Sequence, residues 1–352
     1  MQPPSYEEGT TRWAKFYISL SPILYDMLPY DIDFQSLREK IRSEGFERVL
    51  LQLPEGLKIY ATEIVDALKG YNVYISTKPC YGACDIEVYP DMLTLHFGHS
   101  EIPNIKYPPN IVFVETFSKV SFKNVVEKFL EDHSCDSAGL VASVQHIPQI
   151  NEVRELLESR GIETYVGNGD GRVKYPGQIL GCNFSTAREV AKKVSCFLFL
   201  GTGDFHAMGV EMATGKKTYV IDPFAEKYHE VSEKVSRFMR QRFGAIVKAE
   251  EADKYGIIVS SKIGQRRIKL AMALKEMIES TGKKAYLLMS DVIIPEELYY
   301  DVDVYVNTAC PRVTYDDYLR FPRPIISPVE LEIALKFKLW ENFKFDEIVE
   351  VD

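Results

Sequence analysis

The sequence predicts an α/β fold: three repeated four-stranded parallel-sheet domains converging on one central site. Three observations carry this. Short continuous apolar runs alternate with amphipathic helical stretches, the pattern of parallel strands covered on both faces. The same order of elements returns three times, with a period of roughly one hundred residues. A cysteine stands beside a glycine or alanine in each of three loops after strand-like runs. These are Cys84 in Tyr-Gly-Ala-Cys, Cys182 in Leu-Gly-Cys-Asn-Phe-Ser, and Cys310 in Thr-Ala-Cys-Pro-Arg-Val.

Composition bounds the possibilities. The chain has 352 residues, 46% of them hydrophobic, enough for two or three domains of about 100–150 residues. A net charge of −9 argues against direct nucleic-acid binding, which needs a basic surface. No apolar run approaches ~18 residues, so no membrane span is expected. The N-terminus lacks the basic-then-apolar order of a secretory signal. Six cysteines are too sparse for a disulfide scaffold, and the expected compartment is a reducing cytoplasm.

In chain order, residues 1–34 read as an N-terminal extension, partly packed through Trp13 and several tyrosines. Domain 1 spans 35–117: a helix over 35–43, strands over 48–52, 72–76, 93–97 and 111–115, and a helix carrying Leu57, Ala61, Ile64 and Leu68 on one face, stopped at Gly70. Domain 2 spans 118–223, with helices over 119–132 and 151–160, the second capped at Gly161, and strands over 139–143, 163–167, 196–201 and 218–222. Domain 3 spans 224–352, with helices over 228–243 and 265–280, the second capped at Gly282, and strands over 256–260, 285–289, 302–306 and 324–327. The tail over 330–352 reads as a helix followed by an acidic end. Right-handed crossovers put the carboxyl ends of such strands on one edge, where open α/β sheets hold ligands. The loops predicted there carry Glu55, His146 and Gln265 after first strands, Cys84, Asp170 and Cys182 after second strands, and His99, His206 and Cys310 after third strands.

Three thiolates meeting at one point can bind zinc or an iron–sulfur cluster. Structural zinc prefers four ligands in close pairs, so three scattered cysteines favour a cluster with one open iron. Buried, unreactive thiols are the competing reading. Cys196, opening Cys-Phe-Leu-Phe-Leu, reads as a small buried hydrophobe, and Cys135 as a loop residue. Cys80 makes a Cys-x₃-Cys pair with Cys84, but neither other site has a second cysteine to match it.

Tyr81-Gly-Ala-Cys84, the run from Pro176 through Gln178 to Cys182, and Ala309-Cys310-Pro-Arg-Val resemble the archaeal family that performs the first step of diphthamide synthesis, 2-(3-amino-3-carboxypropyl)histidine synthase. Leu53-Pro-Glu-Gly-Leu57, Gln145-His146-Ile147, Asn168-Gly-Asp170 and Phe205-His206 extend the match, which runs from about residue 35 to the end. The resemblance implies three α/β domains giving Cys84, Cys182 and Cys310 to a [4Fe-4S] cluster. It further implies one-electron cleavage of S-adenosylmethionine at the methionine Cγ. The products are methylthioadenosine and a 3-amino-3-carboxypropyl radical, which adds to C2 of one histidine of translation elongation factor 2. The Cys-x₃-Cys-x₂-Cys signature of most radical S-adenosylmethionine enzymes is absent, as in that family. An electron donor and a homodimer are also implied.

Within that reading, Gln265 and Arg267 at a helix start suit the carboxylate of S-adenosylmethionine, while Arg266 and Lys269 read as a solvated basic face. Asp170 is a candidate for the ammonium or a ribose hydroxyl, or equally a turn aspartate. His146 and His206 are candidates for a cluster hydrogen bond or for taking the imidazole proton; a structural histidine is the alternative. Two other functions compete: a quinolinate-synthase-like [4Fe-4S] dehydratase, and a non-enzymatic three-lobed small-molecule receptor.

Overall fold

The apolar runs form parallel sheets in the computed structural model, which describes residues 28–133 and 135–352. Most of the N-terminal extension, Trp13 included, lies outside the described residues. Of the remainder, Leu28 is buried and the Tyr30 ring meets Tyr60 edge-on at 6.1 Å. The chain falls into two compact units. One holds the described residues up to Tyr81 with Glu87–His99 and Pro108–Lys119; the other holds Gly82–Ile86, Ser100–Tyr107 and Val120–Asp352.

In the first unit, α1 (Phe34–Glu44) is capped by the Asp33 carboxylate, which accepts from Ser36 N, and ends at Gly45 in the left-handed conformation. Strands β2 (Arg48–Gln52), β3 (Asn72–Ile75), β4 (Leu93–Phe97) and β5 (Ile111–Val114) make a parallel sheet ordered β3-β2-β4-β5. The central β4 is buried throughout, as a strand covered on both faces must be. The helix expected after Gly56 is split into a 3₁₀ turn, Glu55–Tyr60, and α2 (Ala61–Ala67). A short antiparallel pair, β1 (Tyr30–Asp31) with β6 (Phe117–Ser118), was not expected.

The second unit contains two sheets. The first joins β7 (Ser137–Ala142), β8 (Glu163–Tyr165), β9 (Cys196–Leu200), β10 (Thr218–Asp222) and β11 (Lys227–Glu230) in the order β11-β10-β9-β7-β8. Strand alternation sorts its core. Leu140, Ala142, Leu198 and Ile221 pack with α3 (Lys123–Asp132) and α4 (Ile150–Ser159). Val141, Phe197, Phe199 and Val220 pack with α5 (Ser185–Val190), α6 (Phe205–Thr214) and α7 (Ser232–Glu250). The helix expected over 228–243 begins only at Ser232, because Lys227–Glu230 folds back antiparallel on β10.

The second sheet of this unit is parallel and ordered β13-β12-β14-β15, from β12 (Lys254–Ser260), β13 (Lys284–Ser290), β14 (Val304–Asn307) and β15 (Ile325–Ile326). Its core sets Ile257, Val259, Val304 and Val306 against α8 (Ile268–Ser280), with Ala271, Leu274 and Ile278 turned inward. Helix α8 starts at Ile268 rather than 265; Arg267 is its N-cap. After β14 come α9 (Pro311–Tyr315) and α10 (Pro328–Ala334), the latter opened by a Ser327–Glu330 capping box. No helix among the described residues is long and apolar enough to cross a membrane.

Candidate metal centre

Cys84, Cys182 and Cys310 all lie in the second unit. Cys310 is the N-cap of α9, just past the end of β14. Its loop is pinned on several sides. Asn307 Nδ2 donates to the Cys310 carbonyl (2.8 Å), and Ala309 N donates back to Asn307 Oδ1 (2.9 Å). Arg267 reaches the carbonyls of Thr308 (2.7 Å) and Ala309 (3.2 Å). Cys182 sits in the loop between β8 and α5, and its carbonyl accepts from Ile348 N at 2.8 Å. Cys84 turns in a short loop where Asp85 N donates to the Gly82 carbonyl (2.9 Å). Gln265 Nε2 donates to Cys84 Sγ at 2.8 Å. Gly264 is needed beside it, since an added Cβ would lie 2.6 Å from Cys84 Cβ.

The three thiols share one electrostatic environment. Burial pushes the Cys84 thiol up, followed by the charges of Asp85, Cys310 and Cys182, against the Gln265 hydrogen bond. Burial and then Cys182 push Cys310 up to about 12. Burial raises Cys182 too, opposed by Arg172 and Arg267. Each of the three thiols thus feels burial, and the charges of the other two add to it for Cys84. Without metal they hold their protons at neutral pH; a metal must displace them.

Arg172 completes the site. Its side chain is 1% exposed, with Nη2 at 3.9 Å from Cys182 Sγ and 3.2 Å from the Gly264 carbonyl. Its Nε and Nη1 have no hydrogen-bond partner among the described residues. A buried cation with donors to spare, beside protonated thiols, is built for an anion that is not part of the chain. An iron–sulfur cluster with thiolate ligands is such an anion, so the residues fit that group.

The remaining candidates divide. Gln265 meets the Cys84 thiol directly. His206 stacks on Phe199 (5.7 Å between centroids), and a Cβ on Gly181 would lie 3.6 Å from its Nε2, which places the ring beside the Cys182 loop. Burial and the Arg312 charge hold it down to about 4, so it is neutral at physiological pH. His146 is buried elsewhere on the sheet edge, edge-on to Phe122 at 5.1 Å and near Phe224, with Nδ1 unpartnered among the described residues. Asp170 accepts from Arg172 N (2.9 Å) and from Asn183 Nδ2 (3.0 Å), which fixes the loop that delivers Arg172. Arg267 is committed to Thr308, Ala309 and both Asp346 oxygens. Arg172, Gly264 and Asp346 were not singled out in the sequence. The one available signal was an arginine in the glycine-rich run Asn168-Gly-Asp-Gly-Arg.

The family profile of diphthamide synthesis proteins matches residues 53–345. The chain belongs to this family. Among the diphthamide synthesis proteins, 2-(3-amino-3-carboxypropyl)histidine synthase of Pyrococcus horikoshii is 35% identical over 332 residues, covering 91% of this chain and 94% of that one. The Methanocaldococcus jannaschii protein of the same name is 28% identical over 328 residues, covering 87% and 88%. The crystal structure of Dph2 from Pyrococcus horikoshii with a 4Fe-4S cluster superposes with a TM-score of 0.80 at 32% identity, over 91% of this chain and 95% of that one.

Proposed function

We propose that this protein transfers the 3-amino-3-carboxypropyl group of S-adenosylmethionine to C2 of a histidine imidazole of translation elongation factor 2. This is the first step of diphthamide synthesis. The observation that carries the reading is the buried Arg172 guanidinium 3.9 Å from Cys182 Sγ, its Nε and Nη1 without a partner among the described residues, in a family whose relative holds a 4Fe-4S cluster. A cluster held by these three thiolates would supply the electron that opens the sulfur–Cγ bond and frees methylthioadenosine.

The chain's own residues then have distinct tasks. Gln265 stabilises the Cys84 thiolate by its amide hydrogen bond. Arg172 offsets negative charge and keeps two donors for an incoming anionic group. Neutral His206 can accept the proton lost when the imidazole regains aromaticity, the electron lost with it being one that the oxidised cluster would take back; His146, also neutral, is the second acceptor to test. Asp170 and Arg267 act as positioning residues, holding the Arg172 loop and the Cys310 loop. The protein needs an external electron donor, and the working form is a cytoplasmic homodimer.

The test is mass spectrometry of elongation factor 2 after anaerobic incubation with protein, dithionite and S-adenosylmethionine. A mass gain on one histidine with methylthioadenosine as co-product is expected; deoxyadenosine, or an unmodified factor, overturns the proposal and leaves room for a dehydratase. Cys84→Ala, Cys182→Ala and Cys310→Ala should each abolish iron binding and the brown colour, and Cys196→Ala should leave both intact.

A further inference from the structure

The first unit brings together three side chains of metal-ligating type, Cys80, His96 and His99, none of them among the three thiols above. Cys80, His96 and His99 present Sγ, Nε2 and Nδ1 to one another. The separations are 3.8 Å (Cys80 to His96), 4.0 Å (Cys80 to His99) and 3.0 Å (His96 to His99). A tetrahedral ion with bonds of about 2.0–2.1 Å to nitrogen and 2.3 Å to sulfur sets its nitrogens ~3.3 Å apart and each nitrogen ~3.6 Å from sulfur. The observed edges of 3.0, 3.8 and 4.0 Å lie within a few tenths of an ångström of those of one face of such a site, with the ion just off the plane of the three atoms.

The fold explains why the three meet. His96 is in β4, and the parallel register sets it beside Gln52 of β2. The chain then turns through Gly98 at φ +78°, where a Cβ would strike Pro54 at 2.7 Å, and this reversal brings His99 back over His96. Cys80 enters from the loop after β3, and both Cys80 and His96 are buried.

Gln52 also sets the tautomer. Its Oε1 accepts from Glu87 N at 3.3 Å, and a backbone N–H can only donate, so the oxygen must face that way. The same Oε1 lies 2.9 Å from His96 Nδ1, which must therefore carry the proton. The Nε2 lone pair is left pointing at Cys80 and His99. A buried amide that fixes which imidazole nitrogen is free is the usual support behind a histidine ligand.

We propose that Cys80, His96 and His99 bind one divalent zinc-class ion, with a fourth position left to water on the partly open His99 side. One thiolate and two imidazoles suit zinc. The competing account is a buried Cys–His–His hydrogen-bond chain that takes no metal.

Full-length protein, purified anaerobically with its iron in place, is equilibrated with one equivalent of zinc, desalted and analysed for both metals. One zinc per chain is expected in addition to iron. Cys80→Ser and His99→Gln should each lower retained zinc at least about tenfold, with iron and visible absorbance unchanged; Gln52→Ala should weaken zinc binding about ten- to a hundredfold by freeing the ring. Should Cys80→Ser not fold, His99→Gln at the open edge carries the test. Cobalt in place of zinc should give a thiolate charge-transfer band that Cys80→Ser removes. The proposal fails if wild type retains no zinc, or if zinc is lost with Cys84→Ala and kept in His99→Gln. Zinc reports on this site and iron on the three thiols, so failure of one is distinct from failure of the other.

Discussion

His146 is 5% exposed and neutral, its pKa lowered to about 4 by burial, with Asp222 pulling weakly the other way. Unfolding frees it to titrate near its ordinary value of about 6.5. The sign follows: below that pH the unfolded chain takes up the proton first, so stability is full above about 6.5 and falls as pH drops towards about 4. The loss amounts to on the order of 3 kcal/mol. His146→Leu should therefore flatten the urea-midpoint curve between pH 7 and 4; curves that superimpose with wild type would refute this account. At this scale Cys84, Cys182 and Cys310 stood out as candidates through their family motifs, since position after a strand does not by itself separate a ligand from a buried thiol. Arg172 did not, because nothing in Gly-Asp-Gly-Arg says that a guanidinium turns inward. That direction is set by the Gly264 carbonyl, 92 residues away.

Between elements, Arg242 on α7 and Glu330 on α10 form a buried ion pair. Both side chains are fully buried, and Nε and Nη2 each lie 2.7 Å from a carboxylate oxygen. Arg242 also reaches the carbonyls of Thr314 (3.1 Å) and Ile325 (2.8 Å), so it ties α7 to the far end of its sheet. Glu330→Gln should cost roughly 3–5 kcal/mol by stranding the cation. Arg242→Met with Glu330→Leu should cost less than the two single changes together in a double-mutant cycle; strict additivity would show that the pair is not coupled. The strands were legible from their apolar runs, and Gly161 and Gly282 take positive φ directly after the C-cap residues of α4 and α8; α2 instead has its C-cap at Leu68, two residues before the expected Gly70. Helix α6 was hidden because it is apolar nearly all round and carries Gly209, whose Cβ would meet the Phe184 ring at 2.1 Å. Propensity reads that glycine as a breaker; packing requires it. Strand β11 was hidden because Lys-Tyr-His-Glu continues into helical periodicity, and only pairing with β10 decides between them.

Across the second unit, the acidic end of the chain works as a strap. Asp346 pairs with Arg267 at 2.7 Å, both nearly buried. Glu347 accepts from Phe184 N (2.8 Å) and pairs with Arg188. Ile348 N bonds the Cys182 carbonyl, and the Val349 carbonyl accepts from Asn104. One short segment thus joins the Cys182 loop of one sheet to the arginine that holds the Cys310 loop of the other. Deleting residues 346–352 should remove the Arg267 counter-charge, cost roughly 3–5 kcal/mol, and reduce iron retention after desalting; undiminished iron would show that the strap is dispensable. Composition gave this segment its charge but not its partners, which lie more than 75 residues back.

The strap also has a bearing on when the metal can arrive. On the ribosome every thiol emerges before residues 346–348, so a nascent chain exposes three cysteines without the clasp that sets two of them. A cluster bound before residues 346–348 have docked would meet the Cys182 and Cys310 loops without these contacts.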